Sequence, residues 1–311
     1  MNEQTKKSYL SLAGFFLKTL LIDKGINPTE KNIRQTLLAC APDHRPDYWR
    51  RLRRALVVQQ LEADFSKTAK AIEKVVNPIT EVNASDAVKA LKKPKQQRRK
   101  HVEKDEHLLL KRHLTHKGDN CLVAMIEIAR IVGCRPIEMM TLQLHDNHQI
   151  LITGAKKTED GLRGMDRTLI LSPTDYNVVA GAILTQHEYK HTQGLSEAQL
   201  QSRLQHRLAT ATKRLWPRRT HQITLYSYRH QMGSDLKASG RSKTEVAAIM
   251  GHQSVDSVSR YGNRRRSSRN LTIQATPSSI ESVRKTEAKH PEFLTKQKRK
   301  KQSYPTQAHT P

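Results

Sequence analysis

Apolar residues recur at helical spacing through most of the chain and give way to strand-like runs at only two places, which predicts a mainly α protein with a small antiparallel β-sheet. In the first ninety or so residues amphipathic stretches alternate with turn signals. Leu10, Ala13, Leu17 and Leu21 mark one helical face between Tyr9 and Ile22. Asn27-Pro28-Thr29-Glu30 predicts a helix start, with Asn27 as the cap, Pro28 in the first turn and Glu30 reaching back. Another helix is expected from about Pro46 to Asp64. Farther on, Asp119 to Val132 is strongly apolar, with Leu122, Ile126 and Ala129 on one side and Val123 and Ile131 widening that face. A short helix should follow Pro136. Gln149 to Thr153 and Arg167 to Leu171 read as strands flanking a polar, Gly-containing connection, and helical patterns resume near Thr174.

Between these regions, Leu91-Lys92-Lys93-Pro94-Lys95-Gln96-Gln97-Arg98-Arg99-Lys100 suits neither a core helix nor a strand, because it combines proline with nearly uninterrupted positive charge. The expected organisation is a helical domain over 1–91, a basic linker over 92–102 and a mixed domain over 103–262. Residues 263–311 hold 12 Lys and Arg against 3 Asp and Glu, lack apolar periodicity, and read as a largely flexible basic tail.

Charge narrows the partner. With 55 Lys and Arg against 29 Asp and Glu, the formal net charge is +26. Such an excess repels itself and is normally kept because the partner is a polyanion, nucleic acid first of all. A membrane surface fits less well, because Lys18 interrupts the only apolar contender, Tyr9 to Ile22. Cys40, Cys121 and Cys134 are too few and scattered for a disulfide framework, which fits a reducing cytoplasm. Arg50, Arg51, Arg53 and Arg54 beside Tyr48 and Trp49, together with Lys92, Lys93, Lys95, Arg98, Arg99 and Lys100, are candidate DNA-binding residues. A solvated helix face is the competing reading of the arginine cluster.

Four separated pieces carry chemistry. Gly133-Cys134-Arg135-Pro136-Ile137-Glu138 presents an arginine at an expected helix start, where the dipole disfavours a cation unless an anion lies between. Pairing of Arg135 with Glu138 on the surface is the alternative. Thr153-Gly154-Ala155-Lys156-Lys157-Thr158-Glu159 ends a predicted strand, where adjacent lysines point to opposite faces and only one looks into a site. Leu225-Tyr226-Ser227-Tyr228-Arg229-His230 is the third. The fourth is Ala248-Ile249-Met250-Gly251-His252-Gln253-Ser254, followed by Ser257-Val258-Ser259-Arg260-Tyr261. Arg229 precedes His252 by 23 positions, and His252 precedes Tyr261 by 9.

Over roughly Glu103 to Gly262 these pieces resemble the signature boxes of the tyrosine recombinases, or phage integrases, while the amino-terminal domain matches only in general character. The resemblance implies that Arg135, Lys157, Arg229, His252 and Tyr261 are catalytic, with Glu138, Tyr226, His230 and Lys156 in support. Tyr226 stands where the family most often has histidine; a neutral phenol still donates to a phosphate oxygen but is a poor base. The implied fold is a two-domain DNA clamp, with a helical core-binding domain and a mixed α/β catalytic domain. The implied reaction cuts and rejoins DNA through a 3′-phosphotyrosyl link, without metal or nucleotide cofactor, by a homotetramer on two double-stranded DNA sites, assisted where needed by DNA-bending proteins. A cytoplasmic, nucleoid-associated location would follow. A type IB-like topoisomerase and a catalytically lapsed DNA-binding protein of the same fold are the alternatives. His187-Glu188-Tyr189-Lys190-His191 matches a zinc-protease pattern but lacks a third ligand, and His113, His116 and Cys121 lack a fourth, so no metal site is expected.

Overall fold

Burial of one stripe of each helix organises the amino-terminal part of the chain. The computed structural model describes residue 1 and residues 3–94, 97–155, 164–267 and 271–284. It divides into two units, Met1–Gln97 and Arg98–Pro311. The first contains α1 (Glu3–Leu20), α2 (Glu30–Ala39), α3 (Pro46–Glu62), α4 (Ser66–Glu73) and α5 (Asp86–Ala90). Ala13, Phe16 and Leu21 meet Ile33, Leu37 and Leu56 in its core. Trp49 is buried among them and its indole N–H donates to the Leu37 carbonyl at 2.7 Å. The start of α2 differs from expectation. Thr29, not Asn27, is the cap, accepting from the Asn32 amide at 3.3 Å, because the chain turns at Asn27, whose carbonyl takes the Thr29 N–H at 2.8 Å. Proline thus precedes the cap instead of following it.

The second unit is built on α7 (Asn120–Val132), whose Asp119 cap accepts from Leu122 N at 3.0 Å. Leu122, Met125, Ile126, Ile128 and Ala129 are fully buried, so this helix is apolar nearly all round and lies at the centre of the core. Packed against it are α6 (Lys104–His116), α8 (Pro173–Thr192), α9 (Glu197–Leu215) and α10 (Leu225–Ala238), while α11 (Lys243–Met250) packs on α10 and on α12 (Pro277–Glu281). The sheet runs β1 (Leu142–His145), β2 (Gln149–Ile152), β3 (Arg167–Ile170) and β4 (Gln274–Ala275), each antiparallel to its neighbour. Ile150 pairs with Leu169 and Ile152 with Arg167, and Ile150, Ile152 and Leu169 face the core. The short helix expected after Pro136 is a single 3-10 turn, Glu138–Met140.

Two expectations about boundaries are corrected. Residues 271–284 do not belong to a flexible tail: β4 extends the sheet, and Ile273, Ala275 and Val283 are buried in the core of the second unit. Ser279 Oγ accepts from Thr168 N at 2.9 Å, which ties α12 to β3. A two-residue strand with one inward side chain is too short to show a period, so the sequence pattern concealed it. The carboxyl half of the presumed linker is also part of the fold, since Ser227 Oγ donates to the Arg99 carbonyl at 2.8 Å and Val102 N to Gln231 Oε1 at 3.3 Å. Among the described residues, no helix is long and apolar enough to cross a membrane.

Candidate active site

The carboxyl end of α11 leaves carbonyls without partners inside the helix and carries partial negative charge. Three arginines take three successive carbonyls there. Arg167 Nε donates to Ile249 O at 3.0 Å, Arg229 Nη2 to Met250 O at 2.5 Å and Arg135 Nη2 to Gly251 O at 3.2 Å. Gly251 caps the helix at φ 62, in the left-handed region, and a Cβ there would lie 2.4 Å from Arg167 Nη1. Arg135 and Arg229, far apart in sequence, therefore come to adjacent carbonyls. Arg229 also donates through Nη1 to the Gly133 carbonyl at 3.0 Å, and Gly133 is the left-handed cap of α7 just ahead of Arg135.

Glu138 holds the arginines from the other side. Its carboxylate accepts from the Arg135 amide at 2.8 Å, from the Arg135 guanidinium, from Arg167 Nη2 at 3.0 Å and from Ala155 N at 3.3 Å. Burial alone would raise its pKa, but the Arg167 and Arg135 guanidiniums override that and hold it at about 2. Pairing of Arg135 with Glu138 is real but not superficial, since both residues are buried. Arg135 does not stand at the start of a full helix as expected; a carboxylate, not a helix dipole, governs it.

Tyr261 ends the 3-10 turn Val255–Arg260 and lies directly on α10. A Cβ on Gly233 would come within 3.2 Å of the Tyr261 Cβ, so glycine permits the approach. The phenol ring has the Arg229 guanidinium 4.9 Å from its centroid and the rings of His230 and His252 5.0 Å away, tilted by 33° and 32°. Past Tyr261, Lys237 Nζ donates to Gly262 O at 3.2 Å and Asn263 N to Ser234 Oγ at 2.9 Å, which pins this segment to the same helix.

Burial, reinforced by Arg229, Arg135 and Arg167, depresses His252 to about 2. Burial, then Lys100 and Arg229, brings His230 to about 4, and burial with Arg135 and Arg167 lowers Arg229 to about 10. Both imidazoles are therefore neutral near pH 7. His252 Nε2 lies 3.2 Å from Arg229 Nη2, and a guanidinium only donates, so Nε2 accepts and the hydrogen of the neutral ring sits on Nδ1. That Nδ1, together with His230 Nδ1, Arg229 Nε and Arg167 Nη1, is buried without a hydrogen-bond partner among the described residues. A buried cluster with surplus positive charge and unspent donors is arranged for an anion with several acceptor oxygens.

No protein-family model matches the sequence, and no curated protein matches it. The fold does have counterparts. A lambda integrase tetramer bound to a Holliday junction superposes with a TM-score of 0.51 at 16% identity, over 85% of this chain and 73% of that one. The chain has the tyrosine recombinase fold. XerA recombinase (TM-score 0.39, 15% identity) and the integrase from mycobacterium phage Brujita (TM-score 0.33, 14% identity) are also matched, each over 96% of this chain and 92% of the other.

Within this tyrosine recombinase fold Arg135, Arg229, His252 and Tyr261 lie together, with Glu138 and His230 beside them. Lys156 and Lys157 fall outside the described residues, although Ala155, just before them, is bonded to Glu138, and Gly154 N donates to Asp166 Oδ1 at 2.9 Å. Tyr226 is half-buried on α10, one turn before Arg229. Arg167 was missed as a site residue. Its signal was present in the strand pattern, since two-residue alternation puts it on the inward face with Leu169, where a lone cation demands a partner.

The candidate DNA contacts are mixed. Arg50, Arg51 and Arg54 are exposed on α3, with side-chain partners Asp47, Ser8 and Glu73 at 3.3, 2.8 and 3.4 Å. Arg53 donates to the Val75 carbonyl at 2.6 Å, and Trp49 is a core residue unable to stack on bases. Arg99 is half-buried and engaged by Glu106, a structural partner in place of phosphate. Lys92, Lys93, Arg98 and Lys100 are exposed, and Lys95 lies outside the described residues.

Proposed function

We propose that this protein is a site-specific DNA recombinase that breaks and rejoins strands through a 3′-phosphotyrosyl intermediate. The observation that carries the reading is the position of the Tyr261 ring beside the fully buried Arg229, between two neutral imidazoles. In this reading Arg135 and Arg229 bind the nonbridging oxygens of the scissile phosphate and the His252 Nδ1–H adds a third donor. The Tyr261 hydroxyl oxygen loses its proton to solvent water and forms a bond to phosphorus as the bond from phosphorus to the 5′ oxygen breaks. Lys157 gives that oxygen its proton, leaving a free 5′-OH. A 5′-OH from a second DNA end reverses the attack. The ester conserves the energy of the broken bond, so no nucleotide cofactor is required, and the residues named here supply the charge neutralisation. The protein acts as a homotetramer on two double-stranded DNA sites, with DNA-bending proteins as accessory partners, in the nucleoid.

The test uses randomly nicked duplex DNA, because a nick lets the cleaved fragment diffuse away and strands the intermediate. Strands that stay bound after denaturation are sequenced at their junctions, which also yields the target. The expected result is a covalent adduct joined to a 3′ end, absent with Tyr261→Phe. An undiminished adduct in that variant would sink the assignment. Specific binding without any adduct would favour a lapsed binding protein, and relaxation of plasmid without site preference a type IB-like topoisomerase.

A further inference from the structure

Arg167 is the buried charge whose work the proposed mechanism leaves unexplained. Its side chain is fully buried at the start of β3, in register with Ile152 and on the same inward face as Leu169. Burying a cation there is costly unless something requires it. Unlike Arg229, whose guanidinium lies 4.9 Å from the Tyr261 ring centroid, Arg167 faces the support of the site, with Nε committed to Ile249 O at 3.0 Å and Nη2 to Glu138 at 3.0 Å. What it contacts is the support of the other two arginines: the carboxylate that holds Arg135, and the helix end on which Arg135 and Arg229 both dock.

Charge shows what that placement accomplishes. Arg135 and Arg167 both bond the Glu138 carboxylate and Arg229 docks on the same helix end, so three guanidiniums share one carboxylate and two positive charges are left in excess. Without Arg167 the carboxylate would answer to Arg135 alone, and a carboxylate paired with one guanidinium cancels most of its field at a neighbouring phosphate. With Arg167 sharing the carboxylate, Arg135 keeps a usable charge. We propose that Arg167 is a positioning residue for strand cleavage, which divides Glu138 between two guanidiniums so that Arg135 can act on the scissile phosphate. The inference rests on the recombinase reading above.

The test compares wild type, Arg167→Met and Arg167→Lys on a nicked duplex carrying the captured target sequence, measuring DNA affinity, first-turnover adduct formation and melting temperature. Adduct formation by Arg167→Met should fall about a hundredfold while DNA affinity changes by less than about twofold, as expected for loss of transition-state charge stabilisation. Arg167→Lys keeps the charge but spans only one of the two acceptors, so it should recover to within about tenfold of wild type. A wild-type rate in Arg167→Met would overturn the proposal. So would a lysine variant that melts like wild type yet is slowed about a hundredfold, whether or not the methionine variant folds. Failure of wild-type protein to form any adduct would instead strike at the recombinase reading.

Discussion

At the scale of single residues, the site depends on glycines as much as on charges. Gly251 adopts φ 62 and stands where any Cβ would meet the Arg167 guanidinium. Gly251→Ala should therefore cost about 2 kcal/mol or more, from left-handed backbone strain and from displacement of a buried cation. That predicts a melting temperature lower by roughly 4–8 °C, together with loss of adduct formation. An unchanged melt would show that the Arg167 side chain has room to move. The sequence reading singled out Arg135, Arg229, His252 and Tyr261 as candidates because each sits in a short motif that resembles a family box. It missed Arg167, although strand alternation puts that residue on the inward face, because its role lies in contacts to Glu138 and Ile249 that the alternation does not name. It also took Trp49 for a contact residue, since an aromatic beside arginines looks the same on a surface as at the edge of a core.

At the scale of elements, long amphipathic helices and the alternating strands β2 and β3 were legible, and short elements without such a pattern were not. α3 and α7 fall within two residues of their expected limits because several turns of apolar periodicity define them. β1 escaped because only Leu142 of its four residues is buried, which leaves no inward alternation, and β4 and α12 because two and five residues carry too little pattern. The correction at β4 has a measurable consequence. Truncation after Gly262 removes the buried Ile273, Ala275 and Val283 and the Ser279 bond to Thr168. At roughly 1.5–3 kcal/mol for each fully buried aliphatic side chain, the second unit should lose on the order of 5 kcal/mol. Thermal unfolding and limited proteolysis would show a lowered melt and an exposed β3. A truncated protein as stable as the full chain would mean that β4 and α12 contribute nothing to the fold.

At the scale of the whole molecule, the same buried charges that suit an anion make the protein sensitive to acid. His230 is held at about 4 and His252 at about 2, both below the ordinary value near 6.5, so the folded protein refuses protons that an unfolded chain accepts. Stability from this source is fully present above pH 6.5 and declines as pH falls toward 4. Glu138, depressed to about 2 from near 4.5, adds to the decline below about pH 4.5. Melting temperature should thus drop between pH 7.5 and 5 more steeply in wild type than in His230→Gln; equal slopes would remove His230 from the account. The sequence by itself determined the helical character, the net charge of +26 and the four motif pieces, because periodicity, composition and short spacing are local properties. Only the tertiary structure decided that three arginines share the end of α11, that Glu138 is divided between two of them, and that Tyr261 lies against Arg229. Those are relations between distant segments, set by how the core packs and by the need of every buried charge for a partner.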